Sequence, residues 1–132
     1  MSLYRNVKTV FTLSEAASAD QTGDTLAILP ESCSGDGDST PAFAVFFDAT
    51  QAGGATSPTT QVHLQTSHDG EAWITVASST QLTADGEKHE LVELDSLGPL
   101  VRAITTLGGG TKPNHTAKVV LASCGPFRLI AG

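Results

Sequence analysis

The chain has 132 residues, 39% hydrophobic, 16% charged and 5% aromatic, with 14 acidic against 7 basic side chains for a formal net charge of −7. A chain of this length buries about two-thirds of the surface its unfolded form exposes, so a single domain, 1–132, is expected to fold without metal or disulfide staples. The acidic excess is sharpest before Ser67, where Glu15, Asp20, Asp24, Glu31, Asp36, Asp38 and Asp48 stand against Arg5 and Lys8 alone, which argues against direct nucleic-acid binding; no apolar run reaches the roughly 18 residues that span a bilayer, so no membrane partner is expected.

Residues 1–7 precede the first patterned segment. Read one way they are a frayed terminus. Read the other way they are an N-terminal arm that docks on a neighbour through Leu3, Tyr4, Arg5 and Val7, since Tyr and Arg are favoured interface anchors. The start lacks the apolar core and small-residue cleavage site of a secretory signal, which points to synthesis in a cytoplasm.

From there, short period-two segments rich in β-branched and aromatic residues recur between Gly, Pro, Asn and Asp clusters. Strands are expected at 9–13, 25–29, 42–48, 61–67, 72–77, 87–94, 100–106, 118–122 and 127–130. Residues 14–19 read as one helical turn capped by Ser14, too short to change the class. The stretches 32–41 and 49–60, dominated by small polar residues, read as surface loops. In 61–67 the alternation sets Val62, Leu64 and Thr66 on one side and Gln61, His63 and Gln65 on the other. Asp69-Gly70 then supplies the chemistry of a tight hairpin, making 61–77 the best-determined hairpin in the chain. Asp85-Gly86 and Gly98-Pro99 mark later turns, and 108–113 reads as a flexible Gly-rich loop. Eight or nine short strands without a long amphipathic helix predict an all-β chain: a two-sheet antiparallel β-sandwich, jelly-roll-like.

Catalytic, cofactor and metal sites are not expected. Asp36-Gly37-Asp38-Ser39 has the alternating oxygens of a calcium loop but lacks the distal Glu and reads as a solvated acidic loop. Ser67, His68 and Asp69 are the residue types of a hydrolase triad, yet contiguous side chains at a turn cannot line up as nucleophile, base and orienter. His63, His68, His89 and His115 fall in separate segments, with His63 and His89 expected on wet strand faces. Trp73 reads as a core or inter-sheet residue, and the five Phe as core filling. Cys33 and Cys124 show no metal-knuckle spacing and read as two reduced thiols, with a disulfide between them as the alternative. Asn114-His115-Thr116 matches a glycosylation sequon, a pattern common by chance.

The segment 64–77, with its Ser-x-Asp-Gly-x-x-Trp hairpin, is followed by a second Asp-Gly turn, Leu97-Gly-Pro-Leu-Val-Arg-Ala103, a Gly-rich loop, a Lys-Val-Val-Leu strand and Pro126-Phe127. This succession over the second half of the chain resembles the capsid-stabilising decoration (cement) proteins of tailed bacteriophages. The resemblance implies a structural virion protein, made in the host cytoplasm, that binds the major capsid protein outside an icosahedral shell as a homotrimer and holds the joints between subunits. Two other classes stay open: a carbohydrate- or receptor-binding sandwich of a phage tail or cell-surface protein, and a minor hydrolase.

Overall fold

The computed structural model describes residues 4–30, 43–110 and 112–132, and in these there are ten strands and no helix. They are β1 (Asn6–Ala17), β2 (Gln21–Thr22), β3 (Leu26–Pro30), β4 (Phe43–Ala52), β5 (Thr59–Ser67), β6 (Ile74–Ser78), β7 (Gly86–Glu93), β8 (Leu100–Gly108), β9 (Asn114–Ser123) and β10 (Phe127–Ala131). A four-stranded sheet runs β1-β9-β4-β7, and a six-stranded sheet runs β10-β3-β8-β5-β6 with β2 beside β8. Every pairing is antiparallel. Most connections cross from one sheet to the other, which wraps the chain in the jelly-roll-like manner expected.

Alternation makes the core. Val45, Phe47 and Ala49 from β4 and Ala117, Val119 and Leu121 from β9 face Val62 and Leu64 from β5 and Val101 and Ala103 from β8. A fully buried side chain of this kind contributes about 1.5–3 kcal/mol, so this interlayer is the main source of stability. At one end of it the rings of Phe43 and Phe127 meet edge-on, centroids 5.4 Å apart.

All nine expected strands are present, with different limits. Residues 14–17 continue β1 instead of turning as a helix, because β9 offers a partner: Leu13 pairs with Ala117 and Ala17 with His115. The expected loop 49–60 shrinks to 53–58, since β4 runs on to Ala52 and β5 starts at Thr59. Polar Gln51 and Thr60 are buried there, where the Thr60 hydroxyl donates to Gln51 Oε1 at 2.5 Å. Nor is the start of the expected 108–113 loop free: β8 runs to Gly108, and the Gly110 amide donates to the Thr56 carbonyl at 3.0 Å. Gly109, at φ +110°, lies so close to the Ser57 carbonyl that no Cβ fits. Phe46 points outward, correcting the expectation that every Phe fills the core. Cys33 and the acidic run 36–39 lie outside the described residues; Cys124 is exposed in the turn before β10.

Candidate functional site

The strands divide the chain's charge. The six strands of the larger sheet contain no Asp or Glu, whereas β1, β4 and β7 of the smaller one carry Glu15, Asp48, Glu87, Glu90 and Glu93. On a chain of net charge −7 the strands of the larger sheet are therefore themselves neutral to basic.

Registers fix which side chains meet on that face. Gln65 sits between Thr75 and Arg102, and His63 between Ser78 and Ile104. Arg102 Nε donates to Gln65 Oε1 at 2.8 Å, and Gln65 Nε2 donates to Thr75 Oγ1 at 3.3 Å. The Arg102 guanidinium lies over the Trp73 ring, 4.3 Å from its centroid, a cation–π contact. Trp73 Nε1 donates to the Gly70 carbonyl at 3.2 Å, which ties the indole to the hairpin turn. Beside this group His63 bridges two hydroxyls, Nδ1 to Ser78 Oγ at 2.7 Å and Nε2 to Thr106 Oγ1 at 3.1 Å. Partial burial lowers its pKa, so the ring is neutral near pH 7.

Trp73 thus stands on the outer face and not in the core. The cause is a β-bulge in β6: Leu64 pairs with Ala77, but Gln65 pairs with Thr75, leaving Val76 unmatched. One extra residue reverses the parity of everything before it, and Trp73 swings out with Thr75. Simple alternation counted from Ala77 points it inward. Arg102, Gln65 and Thr75 were not among the expected site residues. The available signal was the run of strand segments free of carboxylates.

The turn that carries Trp73 uses the apparent Ser-His-Asp cluster for folding. Asp69 accepts the amides of Glu71 and Ala72 at 2.9 and 3.0 Å, and Ser67 Oγ accepts that of Gly70 at 2.9 Å. The amides of Ala72 and Glu71 pull the Asp69 carboxyl down to about 2. Gly70 takes φ +83°, as the Asp-Gly signal requires.

On the outer face of the smaller sheet, His89 is not an ordinary solvated imidazole. Its Nδ1 lies 2.6 Å from Asp48 and its Nε2 3.7 Å from Glu87, and the Asp48 hydrogen bond raises its pKa. With both nitrogens facing carboxylates, neither is placed to take a proton from a nucleophile. Thr12, Ser14, Asp48, Thr50, His89, Thr116 and Lys118 line a shallow hollow of about 150 Å³ here. Among the described residues no group of three or more His, Cys, Asp or Glu is arranged to hold a metal ion. His115 of the sequon is buried inside β9, while Asn114 is exposed.

Of the expected arm, Leu3 lies outside the described residues. Tyr4 is half-buried, Arg5 exposed, and Val7, 52% exposed, belongs to β1 and pairs with Ala122. None of the three joins the Trp73–Arg102 group.

No family model and no curated protein matches the chain. Among solved structures it is similar to a mutant family 29 carbohydrate-binding module, with a TM-score of 0.45 and 12% identity over 91% of this chain and 86% of that one.

Proposed function

We propose that the chain is a non-catalytic binding module whose larger sheet presents its outer face to a hydroxyl-rich ligand, a glycan. The observation that carries this reading is the Trp73–Arg102–Gln65–Thr75 group, an aromatic ring and fixed planar donors and acceptors on a sheet whose strands carry no carboxylate. Sugars offer apolar ring faces and many neutral hydroxyls, and such a ligand is met by a ring to lie on and by amide, guanidinium and hydroxyl groups already held in place. His63, neutral and bridged to Ser78 and Thr106, extends the same chemistry to the next row. A glycan array probed with the labelled protein and with Trp73→Ala tests it. Hits that vanish in the variant support the reading; an array with no hits, or hits unchanged in the variant, overturns it.

A second reading, attachment to the outside of a phage capsid as a decoration protein, draws on exposed Arg5 and Val7 at the start of edge strand β1. Many copies sharing a load need only about 800 Å² of contact each. Co-sedimentation with empty phage-like shells, with a rise in their melting temperature, supports that reading. Failure to sediment with them removes it.

A further inference from the structure

The outer face of the four-stranded sheet plays no part in the proposed ligand site, and its side chains form ordered rows. Register places Thr9, Val120, Phe46 and Leu91 side by side across β1, β9, β4 and β7. The next row reads Thr12, Lys118, Asp48 and His89, and beyond it Thr116 stands beside Thr50 and Glu87. Phe46 and Val120 are half-buried, and Leu91 is 48% exposed. Three large apolar side chains on adjacent strands, flanked by a charged row, make a patch of the kind that marks a protein contact. Among the described residues Lys118 makes no ion pair within its own chain.

We infer that this face binds a second copy of the same chain, back to back, about a two-fold axis running along the strands between β9 and β4. Charge order selects this occupant and this axis. The rotation keeps each row opposite itself and reverses its order, so Lys118 meets the copy's Asp48 and Asp48 the copy's Lys118. In the neighbouring row Val120 meets Phe46, and Leu91 meets Thr9; in the next, Thr116 meets Thr50. Every central contact is then matched twice, as an isologous interface requires. A two-fold axis laid across the strands along the charged row sets Lys118 against Lys118 and Asp48 against Asp48, which repel. Four strands at about 4.8 Å spacing and some nine residues of length give a face of roughly 570 Å² per partner. The total, roughly 1,100 Å², is at the low end of specific interfaces, so the pair forms reversibly. Such a pair turns the two larger sheets outward in opposite directions, giving two ligand faces on one particle. The pairing does not depend on the proposed ligand.

Sedimentation velocity over about a hundredfold range of protein concentration tests the inference. A shift from monomer to dimer is expected. Phe46→Glu, on the outer face and away from the core, abolishes it. Lys118→Asp and Asp48→Lys each raise the dimer dissociation constant at least about tenfold, and the double swap restores it to within about threefold, because the same pair is remade with exchanged partners. Circular dichroism confirms that each variant is folded. A monomer at every concentration, an assembly other than a dimer, or single reversals without effect overturns the inference.

Discussion

His115→Phe is expected to destabilise the fold by about 2–4 kcal/mol, although the ring volume is nearly kept. His115 is 1% exposed in the interlayer. Its Nδ1 must donate to the Ala17 carbonyl at 2.7 Å, since a carbonyl can only accept. Its Nε2, 2.8 Å from Thr105 Oγ1, therefore accepts the Thr105 hydroxyl proton, while that oxygen accepts the Gln21 amide at 3.0 Å. One imidazole thus joins the end of β1, the short β2 and the centre of β8. Phe removes both of its bonds. The Thr105 hydroxyl is 1% exposed and bears the full cost of a lost partner, while the half-buried Ala17 carbonyl bears less. Urea denaturation followed by circular dichroism is the assay. With a slope of roughly 2 kcal/mol per M, the midpoint falls by roughly 1–2 M. Thr105→Val alone strands the imidazole nitrogen and the Gln21 amide, and the double variant, replacing a polar pair with an apolar one, is expected to be more stable than the sum of the singles by at least about 1 kcal/mol. A midpoint unchanged by His115→Phe, or strictly additive singles, would refute the argument that this pair closes the polar end of the core.

Among the other predictions, the His89 ring titrates above 6.5 in an NMR titration and falls back toward that value in Asp48→Asn, since Asp48 supplies the main raising contact. A raised folded-state value means that the stability from this pair is fully present below 6.5 and is lost as pH climbs through the folded value; His63, shifted the other way by burial, opposes folding as pH falls below 6.5. Asp69, held at about 2, supports the hairpin above the ordinary carboxylate range and releases it as pH falls from about 4 toward 2; loss of protection of the Glu71 and Ala72 amides to hydrogen exchange over that interval is the readout. Gly109→Ala costs about 3 kcal/mol or more, from a positive φ and a Cβ placed against the Ser57 carbonyl, whereas Gly54→Ala, also left-handed at φ +60° but with open space around it, costs only about 1 kcal/mol; thermal melts separate them.

Much of the architecture was legible in the residues because the core depends on period-two burial. The Val62-Leu64-Thr66 face and the Asp69-Gly70 turn both follow from local chemistry alone. What local patterning misses is polarity that becomes buried by pairing across the interlayer. Gln51 and His115 look like loop or sequon residues until Thr60 and Thr105, on the opposite sheet, meet Gln51 Oε1 and His115 Nε2. Ser14 and Glu15 likewise favour a helical turn until β9 holds the chain extended on either side of them, pairing with Leu13 and Ala17. Trp73 was misplaced for a different reason: a single unmatched residue in β6 reverses parity, and nothing local to 72–77 signals it. The site was therefore less legible than the fold, since it depends on that bulge and on Arg102 arriving from β8.

Net charge also misleads when taken over the whole chain. The −7 total suggests a uniformly acidic particle, yet the strands confine their carboxylates to the four-stranded sheet. Exposed charges are felt over about 8–10 Å at ordinary ionic strength, while the outer faces of two packed sheets lie farther apart than the roughly 10 Å between the sheets themselves. A ligand approaching Trp73 and Arg102 along the sheet normal is therefore largely screened from Asp48 and Glu87 behind it. Pairing through the smaller sheet would set Asp48 against Lys118 and so neutralise part of the acidic side, leaving the sheet whose strands lack carboxylates outward on each copy. The same division of charge that makes one face available to a hydroxyl-rich ligand gives the other its alternating order for self-recognition.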